Sequence, residues 1–267
     1  MFVYAVDVRP DDEVREAFRL VEQGLSRAAI ARRIGISRST VRDWLDTGES
    51  AVLDRPMRSG MGSRALRADP CSERCQEGRG IAARSYAYLL GQYLGDGCIS
   101  PSGANHRLRI TCCDAYPDIM AECGAAIRAV VPGVRVGKIA RVGCTEVYAA
   151  WPHWPCVFPH GPGVKHRRSI ALQPWQREIA LDEHPGPFVR GLIHSDGCRC
   201  INRVTVRGKR YEYVRYLFSN RSLDIQALYM EACGRLGISA RPNNTMSISV
   251  ARRESVERLD AIVGLKS

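Results

Sequence analysis

Near the start of the chain, Val14, Ala17, Phe18, Val21 and Leu25 recur at helical spacing and predict one amphipathic helix. Ser26 then stands at an N-cap position ahead of Ala29, Ile30 and Ile34, which predict a second helix. Gly35 falls where that helix must stop and the chain turn, a place that favours a positive φ. Ser37 caps a third helix expected over 38–45. Its Val41, Trp44 and Leu45 would face inward, leaving Arg38, Ser39, Thr40 and Arg42 outside. From 51 to 83 the periodicity fades into Gly, Ser and Arg, which reads as a linker.

Beyond 84 the pattern changes and then repeats. Leu89-Leu90-Gly91-Gln92-Tyr93-Leu94-Gly95-Asp96-Gly97-Cys98 is echoed by Val189-Arg190-Gly191-Leu192-Ile193-His194-Ser195-Asp196-Gly197-Cys198. After each copy come two strands with a turn between them, the second over 105–112 or 211–219. A helix follows through 120–123 or 230–233. Further strands are expected near 134–141 and 145–150, then near 240–243 and 246–250, with a last helix over 254–263. Each half thus reads αββαββ. The predicted class is α+β, with two duplicated halves related by a pseudo-twofold axis and a small all-α domain in front. The boundaries are 1–50 for the helical domain, 51–83 for the linker and 84–265 for the duplicated domain. Its halves are 84–150 and 185–265, joined by a connector over 151–184.

The repeated motif has a physical logic. Gly91 and Gly95 are four apart, hence on one helix face, and Gly191 and Ser195 match them. Small residues at that spacing let two helices approach backbone to backbone. The helix C-termini then converge, and each presents an aspartate, Asp96 or Asp196. A carboxylate is disfavoured at the negative end of a helix, and two together are worse unless a cation lies between them. Carboxylates with carbonyl oxygens suit Mg²⁺.

Charge sharpens this picture. The chain of 267 residues carries a net charge of +11. Residues 1–60 hold 10 basic and 10 acidic side chains, so the excess lies in the larger C-terminal part. A domain this basic most often meets a polyanion. No stretch approaches the ~18 consecutive apolar residues of a membrane span, and no basic region followed by an apolar one opens the chain. Neither membrane insertion nor export is expected, and the 11 cysteines are read as reduced thiols of a cytoplasmic protein.

The run SRAAIARRIGISRSTVRDWL, with small Ala31, turn residue Gly35 and inward Val41, resembles the helix-turn-helix of DNA-binding proteins. That resemblance places Arg38, Ser39, Thr40 and Arg42 at base edges in a major groove. The two copies of the longer motif, and the span 84–265 around them, resemble the LAGLIDADG (dodecapeptide) homing endonucleases. The resemblance implies metal binding by the last acid of each motif, here Asp96 and Asp196, with help from the carbonyls of Gly95 and Ser195. The family's first motif acid is replaced here by Leu94 and His194. The family's lysines near the scissile phosphate follow no motif that places them here, and the candidate is Lys138, taken as the only lysine in a central strand.

Period-two alternation suggests where DNA would lie. Arg107, Arg109 and Thr111 share one strand face while Leu108 and Ile110 share the other. Arg203, Thr205 and Arg207 alternate with Val204 and Val206, and Arg215 also falls in a strand. Such basic faces could line a concave sheet over a major groove.

The connector holds His153, Cys156, His160 and His166 among Trp and Pro, which reads as packing between the halves. Cys71 and Cys75 form only half of a zinc site, so zinc is not expected. His194 has Leu94 as its counterpart, which argues against a chemical role. The chain lacks the terminal His-Asn of an intein. The leading expectation is a monomeric, Mg²⁺-dependent, site-specific double-strand DNA endonuclease. The alternative is a catalytically silent helix-turn-helix transcriptional regulator on the same scaffold.

Overall fold

The computed structural model describes residues 11–36, 38–50, 78 and 80–264. It divides into two units, Met1–Leu66 and Arg67–Ser267. In the first, helices α1 (Asp11–Glu22), α2 (Arg27–Ile34) and α3 (Arg38–Thr47) close on Val14, Ala17, Leu20, Ile30, Ala31, Ile36, Val41 and Trp44. Ser26 caps α2 by accepting from the Ala29 N–H at 3.3 Å. Gly35 ends it with φ 78° and donates its N–H to the Ala31 carbonyl. Val21 turns outward and is 38% exposed, because the inward stripe of α1 runs Val14, Ala17, Leu20. The expected cap Ser37 lies outside the described residues, as do 51–77 with Cys71 and Cys75.

The second unit is the duplicated αββαββ arrangement, α+β in class. The first half comprises α4 (Ala83–Asp96), β1 (Gly97–Ser102), β2 (Asn105–Cys113), α5 (Pro117–Val130), β3 (Val136–Arg141) and β4 (Cys144–Trp151). The second comprises α8 (Pro185–Asp196), β5 (Gly197–Val206), β6 (Lys209–Ser219), α9 (Leu223–Arg235), β7 (Arg241–Asn244) and β8 (Ser247–Val250), closed by α10 (Arg253–Val263). Each half builds a four-stranded antiparallel sheet, in the orders β1-β2-β4-β3 and β5-β6-β8-β7. No helix among the described residues is long and apolar enough to cross a membrane.

One core spans both halves, with α4 and α8 at its centre. Residues 86–94 of α4 are all buried, so the helix is enclosed on every side. The two helices meet through the predicted small residues. A Cβ added at Gly91 would lie 2.5 Å from the Phe188 carbonyl oxygen, and one at Gly191 would lie 2.2 Å from that of Tyr88. At Gly95 it would strike the Ser195 hydroxyl. Larger residues would hold the backbones apart.

The connector carries α6 (Trp154–Val157), a 3₁₀ turn (Lys165–Arg167), α7 (Pro174–Arg177) and a π-helical turn (Glu178–Glu183). It is bound to α4 by aromatic packing. Phe158 stacks on Tyr93 at 4.5 Å and on Tyr86 at 5.6 Å between centroids. The Tyr86 hydroxyl donates to the Val157 carbonyl at 2.8 Å and accepts from Gln176 Nε2 at 2.6 Å.

Candidate functional site

Asp96 and Asp196 are the last residues of α4 and α8, and the close helix packing brings the two helix ends together. A Cβ on Gly95 would stand 3.1 Å from Asp196 Oδ2, which measures how near the two motifs lie. Gly97 and Gly197 then turn each chain straight into a strand, because a Cβ at either would strike the preceding helical turn. Asn220, just after β6, donates to Asp196 Oδ2 at 2.6 Å. Its own place is set by the Ser222 N–H, donated to Asn220 Oδ1, and by Gln226 Nε2, donated to its carbonyl.

A third charged side chain comes from the connector. Lys165 Nζ donates to the Gly95 carbonyl at 2.9 Å and to the Gly97 carbonyl at 2.6 Å. Carbonyls at a helix C-terminus lack partners and carry the negative end of the dipole, so an ammonium is well placed there. Tyr93 lies beneath it, 5.4 Å from nitrogen to ring centroid. Burial pushes the Lys165 ammonium down to about 8, while Asp196 and Asp96 pull the other way. The sequence motifs do not signal this residue, nor Asn220.

The remaining expected positions separate into groups. In the first sheet, Leu108 and Ile110 are buried against the helices. Arg107 and Arg109 therefore lie on the helix-free face, where Arg107 stacks over Tyr148 and Arg109 approaches Glu146 at 4.0 Å. In the second sheet Arg215 pairs opposite Cys200, and it shares the helix-free face. The Nε atoms of Arg107, Arg109 and Arg215 are all buried without an acceptor.

Other positions differ from expectation. Arg203 and Thr205 pair opposite Glu212 and Arg210, in register with buried Tyr216 and Phe218, so they share the helix-side parity. Arg203 is ion-paired to Glu212 at 2.9 Å. Arg207 is not in a strand but at the hairpin turn, with φ 50°. Lys138 is not in a central strand either. It sits on the edge strand β3 opposite Val147, on the helix-side face, and is exposed there.

His194 is buried: its Nε2 donates to the Val263 carbonyl at 3.2 Å and its Nδ1 accepts from the Tyr88 hydroxyl at 3.1 Å. That makes it a strut between α4, α8 and α10. In the first unit Arg38 and Arg42 are exposed on α3 and Thr40 is half-buried, while the side chain of Ser39 lies outside what is described.

Hard divalent cations take oxygen donors, and Mg²⁺ typically takes one or two carboxylates with the rest from water or substrate phosphate. The aspartate pair and the Gly95 carbonyl match that set, and Lys165 marks the spot as one that holds positive charge. Among the described residues no three His, Cys, Asp or Glu side chains gather as a metal group.

Residues 10–50 match the family model of a homeodomain-like domain. No curated protein matches the chain. Solved structures resemble it at low identity. One is the homing endonuclease I-DmoI in complex with DNA and Mn, 12% identical with TM-score 0.43, covering 68% of this chain and 98% of that one. Another is the LAGLIDADG meganuclease I-AabMI bound to uncleaved DNA, 10% identical with TM-score 0.44, covering 66% and 82%. A third is full-length DUF199/WhiA from Thermatoga maritima, 12% identical with TM-score 0.43, covering 70% of this chain and 57% of that one. The chemistry of this chain rests on its own side chains.

Proposed function

We propose that the chain is a site-specific DNA-binding protein of the LAGLIDADG kind that hydrolyses phosphodiester bonds in both strands. The observation that carries this reading is the delivery of Asp96 and Asp196 to one point by two packed helix ends, on a domain with a large positive charge. Asp96, Asp196 and the Gly95 carbonyl would hold a divalent cation, Mg²⁺ by donor chemistry, with the Ser195 carbonyl as a further candidate. Bound there, the cation supplies a Lewis acid for the scissile phosphate and lowers the pKa of an attacking water.

The protein's own residues do the rest. Asn220 orients the Asp196 carboxylate. Arg107, Arg109 and Arg215 set their guanidinium groups on the helix-free sheet faces, where phosphate oxygens would pair with them. Arg203, Thr205 and Arg207 would act only at the margin of that surface, where the β5–β6 hairpin extends past β8. Arg38, Ser39, Thr40 and Arg42 of α3 would read base edges as the second helix of a helix-turn-helix. Lys138 has no part in this reading. Since one chain supplies both acids, a monomer suffices, and a cytoplasmic location fits its DNA partner.

The test is cleavage of a supercoiled plasmid library with Mg²⁺ and with EDTA, followed by Asp96→Asn and Asp196→Asn on a selected target. Each substitution is expected to abolish double-strand cleavage while metal-free DNA affinity stays equal or rises, because a negative charge facing phosphate has gone. Full double-strand cleavage by either variant refutes the assignment.

One observation favours the silent regulator as a second reading. Lys165 already supplies the acid pair with positive charge, so the fold can hold both acids without metal. Under that reading the wild type binds its selected DNA and cleaves nothing in Mg²⁺.

A further inference from the structure

The acid pair comes with a cation of its own. An ammonium has three N–H donors. Two of those of Lys165 go to the carbonyls of Gly95 and Gly97, and the charge lies in the field of both Asp196 and Asp96. The Gly95 oxygen is one of the atoms that a divalent ion at these aspartates would take. An ammonium on that oxygen competes with a divalent ion for the same negative field of the two carboxylates. Like charges a few ångströms apart in a half-buried site repel strongly.

The lysine also has the means to leave. It follows an exposed run, 161–164, in which Gly161 and Gly163 have positive φ and nothing lies within 4 Å of an added Cβ. The bonds of the run itself are local to the connector, from Arg168 Nη1 to the Gly161 carbonyl and from the Arg167 N–H to the Val164 carbonyl, and the anchors to the rest of the fold stand outside it. Phe158 is buried in the aromatic stack, and the Ile170 N–H donates to Asp224 Oδ2 at 2.7 Å.

We infer that Lys165 is the resident cation of the Asp96–Asp196 site, and that a divalent metal enters only as Lys165 withdraws. The inference rests on the proposed reading of the two acids as metal ligands. Lys165 thus has two effects on the site. It holds the converged carboxylates together in metal-free protein, and it sets a threshold for metal binding.

The test uses the full chain and Mn²⁺ alone as probe. By calorimetric titration, K165M is expected to bind Mn²⁺ at least about tenfold more tightly than wild type, since the competing charge has gone and the side chain keeps its length. In EDTA, K165M is expected to melt lower than wild type, and that loss should shrink when D96N and D196N are also present. Should K165M fail to fold in EDTA, the triple variant is expected to fold; if it also fails, the counter-cation role is overturned. An equal loss of melting temperature in both backgrounds overturns that role as well. Mn²⁺ affinity equal or weaker in K165M overturns the exchange and leaves the nuclease reading standing. No Mn²⁺ binding by either protein overturns the exchange and the metal reading together.

Discussion

Gly191→Ala tests the central helix contact. The added methyl group would lie 2.2 Å from the Tyr88 carbonyl oxygen and 3.1 Å from the Gln92 nitrogen, both backbone atoms of α4. No rotamer change relieves such a clash, so α4 and α8 must part by about 1 Å to restore van der Waals contact. Overpacking of this kind costs about 1–3 kcal/mol, and the upper end applies where backbone meets backbone. Alanine recovers about 1 kcal/mol over glycine as a helix former. The net expected loss is about 2 kcal/mol.

Gly186→Ala, on the same helix, is the control. Its Cβ would meet only Ile262 Cγ2 at 3.9 Å, an ordinary contact, so the substitution should be neutral or slightly stabilising. For a unit of this size a loss of about 2 kcal/mol lowers the melting temperature by roughly 4–8 °C. Thermal melting followed by tryptophan fluorescence reads it, since Trp151, Trp154 and Trp175 belong to the duplicated unit. Separating the helices also separates the aspartates, so Mn²⁺ binding should weaken in Gly191→Ala alone. Equal melting temperatures for the two variants would refute the backbone-to-backbone packing.

His160 is buried with both ring nitrogens unpartnered, and burial beside Arg168 and Lys165 pushes its pKa down to about 4. The unfolded chain therefore takes up a proton that the folded state refuses. Stability present above pH ~6.5 is lost as pH falls toward 4, by up to about 3 kcal/mol. Urea unfolding at several pH values should show a smaller loss in His160→Phe; an identical pH profile would count against this role. Phe158→Ala should cost about 3–5 kcal/mol in urea unfolding, because the ring is buried between Tyr86, Tyr93 and Trp154. Deleting residues 1–60 should weaken specific DNA binding in gel-shift titrations yet leave Mg²⁺-dependent cleavage at high protein concentration. A folded deletion variant that cleaves at no concentration would show that the units do not divide the labour this way.

The sequence by itself determined what short-range pattern can encode. The repeated motif, with Gly91, Gly95, Gly191 and Ser195 at four-residue spacing, specified a close helix pair, and the following alternation specified two antiparallel sheets. Capping by Ser26 and the turn at Gly35 were equally local, because each depends on residues within one helical turn. The meeting of Asp96 and Asp196 was legible because a duplication carries its own symmetry.

Position across strands was less legible. The alternation of Arg203 and Thr205 with Val204 was visible, but which parity meets the helices depends on the register with Tyr216 and Phe218 on a different strand. Lys138 was misplaced for the same reason, since strand order is a property of the assembled sheet. The connector, with no period of its own, was opaque. The stacking of Phe158 on Tyr86 and Tyr93, with the Ile170 N–H held by Asp224, carries Lys165 to carbonyls 70 and 68 residues away in sequence. Tertiary packing decided that contact, and with it the charge balance of the site. An ammonium at a helix C-terminus is selected by long-range closure of the chain, and its partners are backbone oxygens that every residue type carries alike.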